Sequence, residues 1–218
     1  MNSSPNSLTS EPDLSGITMA HRAMIADVGR LADLLAAVAR GAHRCARPKE
    51  VDRYLHLLCD SIHHHHTVED EVLWPIMTAS AGSFVDLSEL TGDHAALDPR
   101  LDRLKALSTA FRTAPSQMTA APLAVALADL HQLVREHIAD EERELFAVIR
   151  RHVSIADWAI VEKAAQRSGK MSFDGPRIVG VATEEEYARM AAEANPLLIA
   201  FIKLMTRRHK RFERRVFS

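Results

Sequence analysis

The chain reads as all-α: an antiparallel up-down-up-down four-helix bundle with additional C-terminal helices. Three observations predict this. Ala, Leu, Arg and Glu fill long stretches of helical periodicity, while only 8 Gly and 9 Pro are present and gather between those stretches. Four of the stretches run to about 25 to 35 residues with short connections, which favours antiparallel neighbours. One helical hairpin pattern also occurs twice. The 218 residues suffice for one sizeable domain with a filled core.

Residues 1–16, "MNSSPNSLTSEPDLSG", are polar without an apolar leader segment and read as a floppy tail. Helices are expected at 17–43, 49–79, 86–112 and 119–152, broken by "CARPKE", "SAGS" and "RTAPSQ". These make a bundle over 17–152. The remainder, 153–218, reads as a helical extension: a short helix at 154–168, a connection containing Gly and Pro, and a last helix at 183–215.

Composition limits the function. Hydrophobic residues make up 47 % and charged residues 26 %, as in soluble globular chains. A formal net charge of −2 speaks against a nucleic-acid binder. Cys45 and Cys59 have neither metal spacing nor a disulfide framework and suit a reducing cytoplasm. "NPLLIAFIKLMTRRHKRFERR" joins an apolar block too short to span a bilayer to a dense basic run. That helix is expected to dock on the bundle or another subunit, with a membrane surface as the alternative.

The duplication carries the chemistry. "HHTVEDEVLWPIM" (65–77) lies over "HIADEERELFAVI" (137–149), matching His65 to His137, Glu69 to Glu141, Leu73 to Leu145 and Trp74 to Phe146. "HRAMIADVGRL" (21–31) lies over "HAALDPRLDRL" (94–104), matching His21 to His94 and Val28 to Leu101. Each copy is a His, then His-x-x-x-Glu. Residues four apart lie on one helix face, so His65 converges with Glu69 and His137 with Glu141. Neighbouring apolar positions share these faces: Ile62, Leu73 and Ile76; Val134 and Leu145; Met24 and Val28 beside His21; Leu90 and Leu97 beside His94. Single histidines on such faces are ordinarily hydrogen-bonded core residues. Six converging polar groups would each cost about 1–3 kcal/mol if left unpaired, and a shared metal removes that cost. Imidazoles and carboxylates without thiolate suit iron, or less well manganese, over structural zinc. Two carboxylates from opposite hairpins favour a bridged pair of ions.

The run "HHHH" (63–66) sorts by angle. His63 lies about 200° from His65 and should face solvent. His66, about 100° away and three residues from Glu69, is the candidate for an extra ligand or a flanking group. Asp70 and Glu142 read as solvated charges or as acceptors that orient ligand histidines. His43, His56, His131 and His152 read as surface or packing residues. Tyr54 lies about three turns before His65 on nearly the same face, and phenolate coordination there is disfavoured.

The pattern His21, His65 with Glu69, His94, and His137 with Glu141, with "EDEVLWP" after His65, resembles the hemerythrin HHE cation-binding family over residues 17–152. The resemblance implies two non-heme irons in a four-helix bundle, and reaction with oxygen, peroxide or nitric oxide in oxidative or nitrosative stress, or iron handling. Two departures stand out. Asp98 occupies the place of a second histidine in the third helix of the oxygen carriers, and Pro99 after it should kink that helix. Glu141 stands where the carriers place an aspartate one residue later. An imidazole-poor centre would favour turnover or sensing over reversible oxygenation. The reading is therefore a peroxide- or nitric-oxide-reactive oxidoreductase, with a non-catalytic iron-storage or oxygen-sensing module as the alternative. A ferritin-like enzyme fits less well, because its motif runs Glu-x-x-His.

Overall fold

The computed structural model describes residues 11–193 and 196–218, and the expected tail over 1–10 lies outside them. The described residues are helical, without strands. Helix α1 spans Ser15–Ala39 and α2 Pro48–Val68; a π turn, Glu69–Leu73, joins α2 to α3, Trp74–Ala81. After a short 3-10 turn come α4, Ser88–Thr113, and α5, Gln117–His152. The extension holds α6 (Ile155–Ser168), α7 (Met171–Gly180), α8 (Glu184–Glu193) and α9 (Pro196–Phe217).

Helix α1 packs on α5 and α2, α2 on α4, and α4 on α5, closing a four-membered circuit. Their apolar faces form two clusters. One holds Met24, Val28, Ile62, Leu97 and Val134; the other holds Leu14, Leu73, Trp74, Leu90 and Leu145. In each of these four helices the spacing of the repeat puts its histidine between those two sets. The polar layer is thus sealed above and below by hydrocarbon.

Local chemistry sets the ends. Gly41 takes φ 72° just past α1, a left-handed conformation that glycine reaches without strain, so α1 stops before His43. Ser116 and Thr119 form a reciprocal capping box at the start of α5. Helix α4 continues through Pro99 without a break. Buried Leu97, Leu101 and Leu104 on both sides hold it in place despite one missing N–H.

Three expectations need correction. The tail does not extend to residue 16: Leu14 is buried, Trp158 Nε1 donates to the Asp13 carbonyl at 3.0 Å, and α1 begins at Ser15. The expected continuous helix over 49–79 is interrupted by the π turn, in which the Trp74 N–H donates to the Glu69 carbonyl five residues back. Pro75 comes immediately after; its ring would crowd a carbonyl of a regular preceding turn, and the wider turn makes room. One extra residue rotates the α3 face by about 100°, so fully buried Met77 takes the core place expected of half-buried Ile76. Finally, the expected connection after residue 168 contains α7, whose Phe173 and Arg177 are buried.

The extension packs back on the bundle. Helix α9 lies against α2 and α7, and α7 against α1. Tyr54 receives the rings of Phe173, Phe212 and Phe217 at centroid distances of 5.1, 5.4 and 5.5 Å. Arg177 Nε donates to Asp27 Oδ2 at 2.5 Å, and Tyr54 Oη donates to Asp27 Oδ1 at 2.8 Å. No helix among the described residues is long and apolar enough to cross a membrane.

Candidate metal centre

Helices α1, α2, α4 and α5 and the π turn each deliver side chains to the polar layer. His66, Glu69, His94 and His137 form one group, and His21, His65, Glu69 and Glu141 a second. Within each group the ligand atoms lie within 4.8 Å of one another, and Glu69 belongs to both. All seven residues expected at a metal are therefore brought together. Glu69 opens the π turn, and that looser turn lets consecutive Glu69 and Asp70 both reach the layer.

The rings are held by the nitrogen that faces away from the layer. His21 Nδ1 donates to Glu142 at 2.8 Å, His94 Nδ1 to Asp70 at 2.8 Å, and His137 Nδ1 to Asp93 at 3.3 Å. With the ring proton fixed on Nδ1, the Nε2 atoms of His21, His94 and His137 present lone pairs. His94 Nε2 then faces His137 Nε2 at 3.1 Å, and His21 Nε2 lies 3.1 Å from His65 Nε2. In the His94–His137 pair both Nδ1 atoms carry the proton, and two lone pairs cannot bond one another. A cation between them turns the repulsion into ligation.

The carboxylates make the same demand. Both side-chain oxygens of Glu69 and of Glu141 are buried without a hydrogen-bond partner. His65 Nε2 comes to 2.9 Å from Glu69 Oε1, and His21 Nε2 to 3.4 Å from Glu141 Oε2, but neither is aligned as a hydrogen bond. Burial pushes the Glu69 carboxyl up to about 8. Burial, and then the neighbouring Glu69 charge, carry Glu141 well above the usual carboxylate range. Burial also pushes His65 down to about 3, His66 well down, and His137 to about 4 with Asp93 opposing. Neutral imidazoles beside carboxyl groups whose charged form lacks a counter-charge are what a metal ion requires. The residues fit.

The remaining candidates sort by burial and contact. His66, 5 % exposed, points inward and joins the first group. His63 faces outward and pairs with Asp98 at 2.8 Å, with their side chains 57 % and 59 % exposed. Asp98 is thus outside both groups, and the expectation of an imidazole-poor centre is corrected: five histidines converge, His66 supplying the fifth. Asp70 and Glu142 are acceptors for rings of the layer. Asp93 does the same for His137 and is not singled out by sequence reasoning; its position beside His94 is the only signal. Tyr54 belongs to neither group, being bonded to Asp27. His56 is partly exposed beside Asp52, and His43, His131 and His152 are only half-buried and outside both groups.

The hemerythrin HHE cation binding domain model matches residues 14–149. No curated protein and no solved structure matches the chain. The matched segment covers α1 to nearly the end of α5 and contains all seven converging residues together with their three ring acceptors. The chain belongs to the hemerythrin HHE cation-binding family, and its buried histidine–glutamate layer has the donors to hold the cation.

Proposed function

We propose that the layer holds two non-heme irons and that the protein reacts with a small oxidant or diatomic molecule, oxygen, peroxide or nitric oxide, as part of an oxidative or nitrosative stress response. The observation that supports this most is the sharing of Glu69 by two four-residue groups. A carboxylate with two free oxygens between two sets of imidazole lone pairs is suited to bridging a pair of ions. The arrangement presumes an antiparallel four-helix bundle, supported by the closed circuit of α1, α2, α4 and α5 and by the short connections between them.

When bound, iron supplies the electrons for reducing such molecules. The chain's own residues do the rest. His66, Glu69, His94 and His137 would hold one ion; His21, His65, Glu69 and Glu141 would hold the other. Four protein groups per ion leave an octahedral metal with positions for a small ligand. Glu142, Asp70 and Asp93 hold the rings in register and raise their basicity. Leu73, Met77, Leu97 and Leu145 keep bulk water from both sides of the layer. With five imidazoles present, reversible oxygen carriage is not set aside by the ligand set, and kinetics must separate it from turnover.

The test is iron-replete expression and elemental analysis, then stopped-flow spectra of the reduced protein mixed with oxygen, peroxide and nitric oxide. About two irons per chain and rapid oxidation to a stable diferric state are expected. One zinc and no iron uptake would overturn the dinuclear reading. Return to the colourless reduced form on removing oxygen would replace turnover with carriage.

A further inference from the structure

The extension does more than cover the bundle, because its last helix has two faces. On the inward side of α9, His209 and Val216 are buried and Phe212 packs on Tyr54. At 100° per residue, Leu204, Arg207, Arg211 and Arg214 lie within about 40° of the direction opposite His209, and all four are exposed. Lys203, Arg208, Lys210 and Arg215 flank them and are exposed too. Residues 203 to 215 thus hold seven Lys and Arg against one acid, Glu213, and that acid is turned back to Arg30 of α1. Among the described residues, Arg215 alone of the seven has an acidic partner, Glu50 at 3.5 Å in the first turn of α2. Arg53, three residues on in α2, lies over the Phe212 ring at 5.2 Å, so the basic surface continues onto that helix. At the other end of the run Phe201 and Leu204 are 52 % and 54 % exposed. A chain of net charge −2 therefore gathers unpaired positive charge and bare hydrocarbon along one side of one helix, whereas a merely solvated surface mixes both signs.

We propose that the outward side of α9 docks the intact protein on an anionic phospholipid surface, with the basic side chains on headgroup phosphates and Phe201 and Leu204 in the acyl boundary, while the inward side stays on the bundle. Charge supplies the attraction. Each Lys or Arg brought within the screening length, about 8 Å at physiological salt, tightens binding to an anionic leaflet about fivefold. The run from Lys203 to Arg215 is straight and about 18 Å long, so a flat surface meets its charges together. Hydrocarbon selects the lipid over other polyanions. Nucleic acid would leave Leu204 without an apolar partner. A protein partner would need an acidic groove around a convex helix, and two apolar side chains fall far short of the core of a stable protein interface. At a membrane held by charge, side chains that insert singly are enough. The docking uses none of the seven metal-layer residues and is independent of the di-iron reading.

The test is flotation of the full chain with vesicles of phosphatidylglycerol and phosphatidylcholine in equal parts, and with vesicles of phosphatidylcholine alone. Binding to the anionic vesicles should be at least about tenfold stronger, and should fall about tenfold or more in 1 M salt, where the screening length is about 3 Å. Arg207→Glu, Arg211→Glu and Arg214→Glu together should weaken it about a hundredfold. Phe201→Ser with Leu204→Ser should weaken it about tenfold. All these side chains are exposed, so circular dichroism spectra and melting should not change. Arg100→Glu with Arg103→Glu, at exposed positions of α4, alters the net charge nearly as much and should leave binding within about twofold. Equal binding to both kinds of vesicle, a loss in the α4 variant as deep as in the α9 charge variant, or full binding by either α9 variant would overturn the proposal. Displacement from the vesicles by stoichiometric duplex DNA would give the face to nucleic acid, and displacement by polyglutamate to an acidic protein. A dimer that binds no vesicles and is dispersed by Phe201→Ser with Leu204→Ser would give it to a second copy of the chain. Each of these three would also overturn the lipid assignment.

Discussion

Replacing Glu69 by Gln should move the metal-free and the metal-loaded protein in opposite directions. Burial, opposed by His21 and reinforced by Asp70, carries this carboxyl from 4.5 to about 8. Between those values the unfolded chain has released the proton and the fold still holds it. The associated stability is fully present below pH 4.5 and is lost as pH rises toward 8. At about 1.4 kcal/mol per pH unit, the loss at pH 7 is about 3 kcal/mol. Gln carries no such proton. The metal-free Glu69→Gln protein should therefore be more stable than its parent by up to about 3 kcal/mol at pH 7, the difference fading toward pH 4.5. Loaded with iron, the variant lacks the group shared by both ion sites, so metal content and the stability it confers should both fall. Urea unfolding in the presence of a chelator at several pH values reads the first effect, and elemental analysis with melting of the loaded protein reads the second. A metal-free variant less stable than its parent at pH 7, or a difference that does not change with pH, would refute the view of Glu69 as a group whose charged form is buried without its cation.

Two further outcomes are expected. His66→Ala should remove about one of two metal ions per chain, because only one group contains it, while His63→Ala should remove none; equal loss, measured by elemental analysis, would mean that the inward and outward faces of α2 are misassigned. Phe173→Ala should cost about 3–5 kcal/mol, since the ring is 3 % exposed and packs edge-on to Tyr54, and a change below about 1 kcal/mol in denaturant unfolding would show that α7 and α9 add little to the fold.

The fold and site are most legible in the sequence where the determining forces are local or repeated. The helix-forming stretches and the His-x-x-x-Glu pairs are set by i to i+4 geometry, and the duplication distinguishes the converging histidines from ordinary core ones. The angle alone puts His63 outside. For His66 the angle decides nothing, because a position 100° from the inward face can turn either way until the neighbouring helices are in place. The π turn leaves almost no mark in a hydrophobic pattern: Pro75 is its only cue, and an interruption of one residue looks the same as a shifted stripe. Helix α7 is hidden because Gly175 and Pro176 are breakers by propensity; burial of Phe173 and Arg177 outweighs them. The Asp27–Arg177 pair spans 150 positions, and no local pattern joins two residues so far apart.

That pair has a consequence for where the molecule can be cut. The family match ends at residue 149, inside α5, and invites removal of everything after the bundle. Such a truncation would take away Arg177, the guanidinium partner of Asp27, and would strip from Tyr54 the three aromatic rings that cover it. An excised bundle would need the apolar face bared around Tyr54 rewritten in polar residues before it could stand by itself. In the intact chain the recognisable half is an open vessel, and its last helices are the stopper.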